Sequence, residues 1–175
     1  MSGLSRSLLR LGRVLSSVPR KLVLQPLTKR AFSQCGARLH LGERNDFRGI
    51  QNIHVGNDVS FGPDTRIWTV GAHVYIGDDV MFGPGVTIIS GDHRIDLEGK
   101  PMREVLPSEK LTENDQNVVI EDDVWIGSNV TVLKGVHIPR GSVIAAGAVV
   151  TRSLDGDNCI WGGVPARLIG RRFHD

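Results

Sequence analysis

His93 is the residue of this sequence best suited to acid–base chemistry, and it follows Gly91 and Asp92. A neutral imidazole can accept a proton from a hydroxyl group and so turn a poor nucleophile into a good one. A single histidine is more often a polar surface residue, so its place in the chain has to decide between the two roles. Asp92 is a weaker candidate. Adjacent side chains on an extended segment point apart, which suits Asp92 to shaping an acceptor pocket better than to orienting the imidazole.

Residues 94–117 form an irregular insertion directly after His93. A strict sequence period ends near Ile88 and restarts near Val118. In a compact repeat, a long insertion is more often functional than accidental. The sequence therefore predicts a protruding loop with His93 at its entrance.

The rest of the sequence repeats every six residues, with one longer step after Ile67. An apolar residue recurs at Val55, Phe61, Ile67, Ile76, Phe82, Ile88, Ile120, Ile126, Val132, Ile138, Ile144 and Val150. Four residues later a small or β-branched residue usually follows. Three residues later the residue is Asp, Asn or Gly, as at Asp58, Asp64, Asp79, Gly85, Asp123, Asn129, Gly135, Gly141 and Gly147.

A period of six fits neither an α-helix nor a simple strand alternation. It fits short strands broken by corners, each with one residue at positive φ, where Gly is free and Asn or Asp tolerable. The apolar positions then stack inside a prism of parallel strands. An ordinary meander of hairpins is the alternative, but hairpins do not enforce a constant six-residue step.

Composition limits the class of protein. The 175 residues suffice for one well-cored domain, with 40% hydrophobic and 23% charged residues. The 21 glycines fit a chain with many regular tight turns. Cys35 and Cys159 form no metal-spaced cluster and fit a reducing, cytoplasmic compartment. No apolar run is long enough to span a bilayer.

Residues 1–42 contain only basic charges, whereas the remainder is acidic overall. Leu4, Leu8, Leu11 and Leu15 fall on one side of a helical wheel, opposite arginines. This pattern is typical of a helix lying in a membrane interface, so we expect peripheral contact with the inner face of the cell membrane through residues 1–32. Two alternatives remain: a cap on the open end of the prism, or an organellar transit peptide. Nucleic acid is not an expected partner, because no binding motif is present.

The stretch from Ile120 to Arg171 resembles the hexapeptide-repeat acyltransferases. It includes GSNVTVLKGVHIPRGSVIAAGAVVT, from Gly127, and GGVPAR, from Gly162. Within that family, residues 33–171 are most similar to the maltose/galactoside acetyltransferase-like branch and its polysaccharide O-acetyltransferases. The resemblance implies a left-handed parallel β-helix with three hexapeptides per coil, assembled as a homotrimer with active sites between subunits. We accordingly expect a basic helical N-terminal segment at 1–32, a β-helix at 33–160 with loop 94–117, and a C-terminal tail at 161–175.

The same resemblance assigns the site. His93 falls where these enzymes place their catalytic base. Coenzyme A is expected to contact Trp125 near the thioester, the backbone of Ala146 and Ala148 along the pantetheine arm, and Thr151, Arg152 and Arg167 near the phosphates. Arg171 is one residue out of step with a further basic position. The resemblance calls for acetyl-CoA as co-substrate and for no metal, and His40, His54, His73 and His137 lack ligand spacing.

The acceptor side departs from the sugar-specific enzymes. Pro63 and Gly71 stand where those enzymes hold a hexose with Asn and Asp, so their substrate is not transferred. Trp68 and Asp92 are the candidates for acceptor binding, with His73 nearby in sequence. The leading expectation is an O-acetyltransferase acting on a sugar hydroxyl in bacterial surface or exopolysaccharide biosynthesis. The alternatives are an acetyltransferase for a free sugar, amino-sugar or antibiotic, and a non-catalytic β-helix that serves as a scaffold or carries a metal.

Overall fold

The computed structural model describes residues 20–173, which divide into two units. The first contains a π-helical turn at Arg20–Leu24 and helix α1 at Gln25–Ala31. The second begins at Phe32 and holds all of the strands. The leucine stripe predicted to contact a membrane lies outside the described residues.

Five coils of three short strands make up the second unit. The first two coils are β1 (Gln34–Cys35), β2 (His40–Leu41), β3 (Asp46–Arg48), β4 (Ile53–Val55), β5 (Ser60–Phe61) and β6 (Arg66–Trp68). The third and fourth are β7 (Val74–Ile76), β8 (Met81–Phe82), β9 (Thr87–Ile89), β10 (Val118–Ile120), β11 (Trp125–Ile126) and β12 (Thr131–Val132). The fifth is β13 (His137–Ile138), β14 (Val143–Ile144) and β15 (Val149–Val150).

Strands of successive coils stack in register and form three parallel sheets. The first sheet contains β1, β4, β7, β10 and β13, and the third contains β3, β6, β9, β12 and β15. The second contains β2, β5, β8, β11 and β14 and continues into β16 (Cys159–Gly162) and β17 (Arg167–Arg171), of which β17 alone is antiparallel. The predicted left-handed parallel β-helix with a helical N-terminal segment is confirmed.

The corners have the backbone geometry that the sequence predicts. All nine Asp, Asn and Gly residues of the corner series have positive φ, from 56° at Asp58 and Asn129 to 73° at Gly135. Arg38 and Arg44 also have positive φ, at 56° and 55°. Each of these arginines makes a bidentate ion pair with the aspartate at the same corner of the next coil, Arg38 with Asp58 and Arg44 with Asp64. The ion pairs orient side chains at corners where Arg is a poor choice for the backbone.

The interior of the prism is mostly apolar. Every residue of the predicted six-residue apolar series is buried, and so are the residues four positions later, except Gly71 and Asp92 at the two breaks of the repeat. Thr65 is a polar member of the core, and its hydroxyl donates to the carbonyl of Gly62 at 2.9 Å. Phe32, Phe47, Phe61 and Phe82 pack together at the N-terminal end, with neighbouring ring centroids 4.8–5.4 Å apart along the series. Stacked β-branched residues therefore supply most of the hydrophobic stabilisation.

The predicted loop leaves the prism between β9 and β10. It carries three short 3-10 turns, at Met102–Glu104, Pro107–Glu109 and Thr112–Asn114. The coils on either side of it remain in register, because β7 pairs directly with β10 and β9 with β12. The loop is thus an excursion from an uninterrupted β-helix.

Candidate active site

A short antiparallel neck fixes the two ends of the loop. The amide of Asp92 donates to the carbonyl of Asn114 at 2.8 Å, and the amide of Gln116 donates to the carbonyl of Ser90 at 2.9 Å. Gly91 allows this close approach, because a Cβ atom there would lie 2.0 Å from Oδ1 of Asp115. His93 is the first residue beyond the neck and is exposed. The neck therefore fixes the backbone that leads into His93.

Three cationic side chains organise the loop, and one of them, Lys134, joins it to the prism. Lys134, which follows β12, contacts Asp92 Oδ2 and the carbonyl oxygen of Glu113 through Nζ, both at 2.6 Å. Lys110 contacts both carboxylate oxygens of Asp115 at 2.7 Å. Arg94 donates to Asp96 and to the carbonyl of Glu109, each at 2.8 Å. Lys134 joins the entrance and the exit of the loop to the fourth coil.

The carboxyl group of Asp92 is held in its charged form. Partial desolvation by itself would raise the pKa of Asp92, but hydrogen bonds from Lys134 and Asn114 outweigh it and lower the pKa below its usual range. The carboxylate of Asp92 is thus occupied by its ion pair with Lys134 and by the hydrogen bond from Asn114. This arrangement places Asp92 in the wall of the site and leaves the imidazole of His93 without a carboxylate partner among the described residues.

A cavity of about 640 Å³ opens beside His93. Trp68, Asp92 and His93, which the sequence singled out separately, all line it. Its remaining walls come from the corner after β6, from β9, from the loop and from the segment after β12. The structure therefore brings together the candidate base and both candidate acceptor-binding residues.

The indole of Trp68 is fixed from one side. Its Nε1 donates to Oδ2 of Asp46 at 3.0 Å, and the guanidinium of Arg48 lies over the ring at 4.3 Å from its centre. His73 is separate from this cavity. It is hydrogen-bonded to His54 at 3.1 Å and stacks on Tyr75, away from the residues that line the site.

Trp125 does not line the cavity that contains His93. It lies on β11 in the second sheet, with Ile126 buried beside it and its own side chain 51% exposed. His93, in contrast, follows a strand of the third sheet. Within one chain, the candidate thioester contact and the candidate base therefore occupy different faces of the prism.

The other coenzyme A candidates lie around the fifth coil. Ala146 is exposed, whereas Ala148 is buried. The amide of Ala148 donates to the carbonyl of Ala145 in the same coil, and its carbonyl accepts from the amide of Thr131 in the fourth coil. Thr151 and Arg152 follow β15 and are exposed. Arg167 is brought to the same end of the prism, because the amide of the preceding Ala166 donates to Val149 at 2.8 Å. Ala148 can thus offer close approach only, while Arg152 and Arg167 present cations on adjoining segments.

Residues 20–173 show neither a clustered metal-ligand set nor a membrane-spanning helix. No group of three or more His, Cys, Asp or Glu side chains in that range is arranged to hold a metal ion. No helix in the same range is long and apolar enough to cross a membrane.

The chain resembles known proteins in sequence and in structure. Residues 117–152 match the family described as bacterial transferase hexapeptide (six repeats). An acetyltransferase of this type from Vibrio cholerae, complexed with acetyl coenzyme A, is 26% identical and has a TM-score of 0.76 over 93% of this chain and 85% of its own. No curated protein sequence matches this chain.

Two further solved structures are similar. A galactoside acetyltransferase in complex with coenzyme A is 26% identical, with a TM-score of 0.75 over 99% of this chain and 84% of its own. A maltose O-acetyltransferase from Clostridium difficile 630 is 27% identical, with a TM-score of 0.69 over 86% of this chain and 75% of its own.

The stacked coils form a left-handed β-helix, and the matched repeats of residues 117–152 lie within its last coils. Its structural neighbours are maltose and galactoside O-acetyltransferases and related hexapeptide-repeat acetyltransferases, so the resemblance inferred from the sequence is confirmed.

Sequence reasoning missed the lysines that organise the site. Lys134 and Lys110 give no motif signal, because their partners are far away along the chain or inside an aperiodic loop. One signal was available for Lys134: it stands at an outward-facing corner of the coil directly after the insertion, where a side chain can reach the loop.

Proposed function

We propose that this protein transfers an acetyl group from acetyl-CoA to a hydroxyl group, with His93 as the general base. The observation that carries the proposal is a single cavity lined by His93, Trp68 and Asp92. The hexapeptide-repeat neighbours complexed with coenzyme A or acetyl coenzyme A support the choice of donor.

The chemistry requires one proton relay. A ring nitrogen of His93 takes the proton from the acceptor hydroxyl as its oxygen attacks the thioester carbonyl carbon. A backbone N–H donor stabilises the oxyanion of the tetrahedral intermediate. When the intermediate collapses, the C–S bond breaks, and the coenzyme A thiolate takes the proton from the imidazolium. No acyl-enzyme is required. Asp92, paired with Lys134, holds the neck of the loop and so the position of the imidazole.

Arg152 and Arg167 are proposed to bind the phosphates of coenzyme A. Both are exposed, and neither makes an ion pair within the described residues, so both guanidinium groups are available for bidentate contacts with phosphate oxygens. Thr151 precedes Arg152 and adds a hydroxyl. Ala146, exposed and without a bulky side chain, allows the pantetheine arm to pass close to the backbone.

A homotrimer with sites between subunits is the assembly that we propose. The support is the separation of Trp125 from His93 on different sheets of one chain. An acetyl-CoA molecule that contacts both residues is more readily accommodated where the second sheet of one copy meets the loop of another. Light scattering of the purified protein measures the assembly directly, and a catalytically active monomer would contradict it.

A sugar hydroxyl of a bacterial surface polysaccharide or its lipid-linked precursor is the proposed acceptor. The support is that two of the neighbours are a galactoside acetyltransferase and a maltose O-acetyltransferase. Mass spectrometry of surface glycan from a strain lacking the protein tests this acceptor, and an unchanged acetyl content would contradict it.

Peripheral membrane contact through residues 1–32 remains part of the proposal. It rests on the sequence pattern of the basic segment. Cell fractionation compares the full chain with a variant beginning at Phe32, the first residue of the β-helical unit. The full chain is expected in the salt-releasable membrane fraction and the shortened chain in the supernatant. The same distribution for both chains would refute attachment.

The central test replaces the base. His93→Ala is expected to lower kcat about 10²- to 10⁴-fold, the usual contribution of a general base. Coenzyme A binding and the thermal unfolding midpoint are expected to stay unchanged, because His93 is exposed and lies outside the core. Thiol release is measured with acetyl-CoA and an accepted substrate. Wild-type turnover by His93→Ala would refute the mechanism.

A further inference from the structure

The cavity beside His93 is lined largely by apolar side chains. They come from three parts of the fold: the end of the second coil, the third and fourth coils, and the loop. These residues are Trp68, Val70, Ile89, Val105, Pro107 and Leu133. Val70 is 77% exposed although it is apolar and stands at the rim of the site. Because the six side chains line one cavity, they form a continuous apolar surface, which is typical of a ligand-binding groove.

The cations in the same wall are already neutralised. Arg94, Lys110 and Lys134 each contact a carboxylate, and their side chains are only 20%, 21% and 25% exposed. Their partners Asp96, Asp115 and Asp92 complete three local ion pairs. These three cations are therefore already paired with carboxylates of the protein. None of them is free to bind a phosphate or carboxylate on the acceptor.

Few polar groups remain to recognise a ligand. The imidazole of His93 faces the cavity, and Asp92 retains a half-exposed carboxylate beside it. A bare sugar bound among six apolar side chains would leave several hydroxyls without partners, which is costly. A hydroxyl carried next to an alkyl or aryl group would place its oxygen at His93 and its apolar part on Val70, Ile89 and Leu133.

We infer that the acceptor carries an apolar group adjacent to its reactive hydroxyl and that this cavity binds the apolar group. The inference rests on the proposed function only in naming the ligand an acceptor. It narrows the acceptor class from sugars in general to glycosides or other alcohols with an alkyl or aryl substituent. A lipid-linked sugar and a small hydrophobic alcohol share this chemistry.

Alkyl glycosides of one sugar test the inference. Isothermal titration of the full-length protein, without acetyl-CoA, compares methyl, butyl and hexyl β-glucoside at concentrations below micelle formation. The dissociation constant is expected to fall with chain length, by up to about fourfold for each methylene that is buried. A second measurement of kcat/KM with acetyl-CoA is expected to follow the same order. Equal dissociation constants for the three glucosides would overturn the inference.

A pair of variants locates the binding. Val70→Asn is expected to reduce the ratio of the methyl to the hexyl dissociation constant about threefold or more. Ile95→Asn is the matched control, because Ile95 is 76% exposed and does not line the cavity. It is expected to leave the ratio unchanged. Equal effects of both variants, or an effect of neither, would place the apolar binding elsewhere and overturn the inference.

These outcomes separate the two proposals. Chain-length-dependent binding that Val70→Asn weakens, without any acetyl transfer, would refute the proposed function and leave the apolar site standing. Acetyl transfer to methyl and hexyl β-glucoside with equal kcat/KM and equal affinity would leave the proposed function standing and refute the apolar site. Free phosphorylated sugars serve as an additional probe, and tighter binding of glucose 6-phosphate than of hexyl β-glucoside would also overturn the inference.

Discussion

The coils and the loop of this protein are stabilised in opposite ways. In the coils, each core position repeats its neighbour one coil away, so that Ile126, for example, stacks between Phe82 and Ile144. In the loop, single ion pairs join particular residues: Arg94 and Lys110 pair within the loop, and Lys134 pairs with Asp92 at its entrance. The coils are redundant and apolar, whereas the loop depends on particular ion pairs.

Because of this difference, substitutions in the coils and in the loop are expected to affect different properties, the free energy of unfolding and the reaction rate. Damage to a coil removes buried apolar contacts and is expected to lower the stability of the whole chain. Damage to a loop contact shifts His93 and is expected to lower the rate at nearly constant stability. Substitutions in the two regions can therefore be compared by two measurements, the free energy of unfolding and kcat.

The largest change in stability is expected from Ile126→Ala. Ile126 is fully buried between two coils, and truncation of such a residue costs about 2–5 kcal/mol. Urea denaturation at fixed protein concentration measures the loss. Leu106→Ala is the control in the loop, where the side chain is 57% exposed. Similar losses for the two variants would contradict the division between coils and loop.

Lys134→Met is expected to change the rate more than the stability. The variant loses the contacts to Asp92 and Glu113 that join the two ends of the loop. A small displacement of a catalytic group can cost up to about 100-fold, and we expect a fall in kcat of roughly 10- to 100-fold. Lys134→Arg keeps the charge and is expected to recover much of the rate. Failure of arginine to recover more activity than methionine would argue against a positioning role.

The same variant has a signature in its pH dependence. The pKa of Asp92 is lowered in the folded protein, so its ion pair contributes stability above the unfolded-state pKa, and this contribution is lost as the pH falls through the folded-state pKa. The stability difference between the wild type and Lys134→Met is expected at neutral pH and is expected to vanish in acid. NMR titration of the Asp92 carboxyl group should also show a higher pKa in the variant. An unchanged Asp92 titration would contradict the assigned contact.

Arg152→Ala combined with Arg167→Ala is expected to raise the KM for acetyl-CoA about tenfold and to leave the acceptor KM nearly unchanged. The estimate is modest because both side chains are exposed and screened by solvent. Arg66→Ala with Arg103→Ala removes the same charge from other exposed positions and is the control. A shift in the acceptor KM alone would show that the cofactor groove lies elsewhere.

Two glycines give the smallest but most closely matched comparison. Gly147 in the fifth coil and Gly99 in the loop have φ of 72° and 71°, and a Cβ atom would meet nothing within 4 Å at either position. Alanine at such a φ costs about 1–2 kcal/mol when the backbone cannot relax. We expect Gly147→Ala to lose about that much stability in thermal unfolding and Gly99→Ala to lose less than half of it. Equal losses would show that the loop is as rigid as the coils.

The coils were predictable from the sequence because they repeat. Each corner needs one residue at positive φ and most inner positions need an apolar residue. A repeating amino-acid sequence therefore predicts a repeating structure. The first coil was not part of the predicted series, which began at Val55. Arg38 and Arg44 occupy its corners, and only the structure shows their pairing with aspartates of the next coil.

The site was predictable only in part. Trp68, Asp92 and His93 were each selected from the sequence, and the structure places them around one cavity. The contacts that hold them were not predicted, because the loop has no sequence period. Lys134 and Asp92 are also far apart along the chain and become neighbours only through the stacking of the coils. The apolar character of the cavity likewise arises from residues of four separate segments, none of which carries a motif.

The register across the insertion has a consequence for chain entropy. At one corner the amide of Ala37 donates to the side chain of Asn57, 20 residues away. At the equivalent corner of the third coil, the amide of Asp78 donates to the side chain of Asp122, which lies 44 residues away on the other side of the loop. Closing the longer ring costs only about 0.7 kcal/mol more, since closure entropy grows with the logarithm of length. Lengthening, shortening or exchanging the segment between residues 94 and 113 should therefore leave folding almost unaffected. A hybrid chain that receives a foreign loop between the same two strands is expected to fold, which makes this insertion a practical point for testing how the loop affects the proposed acceptor.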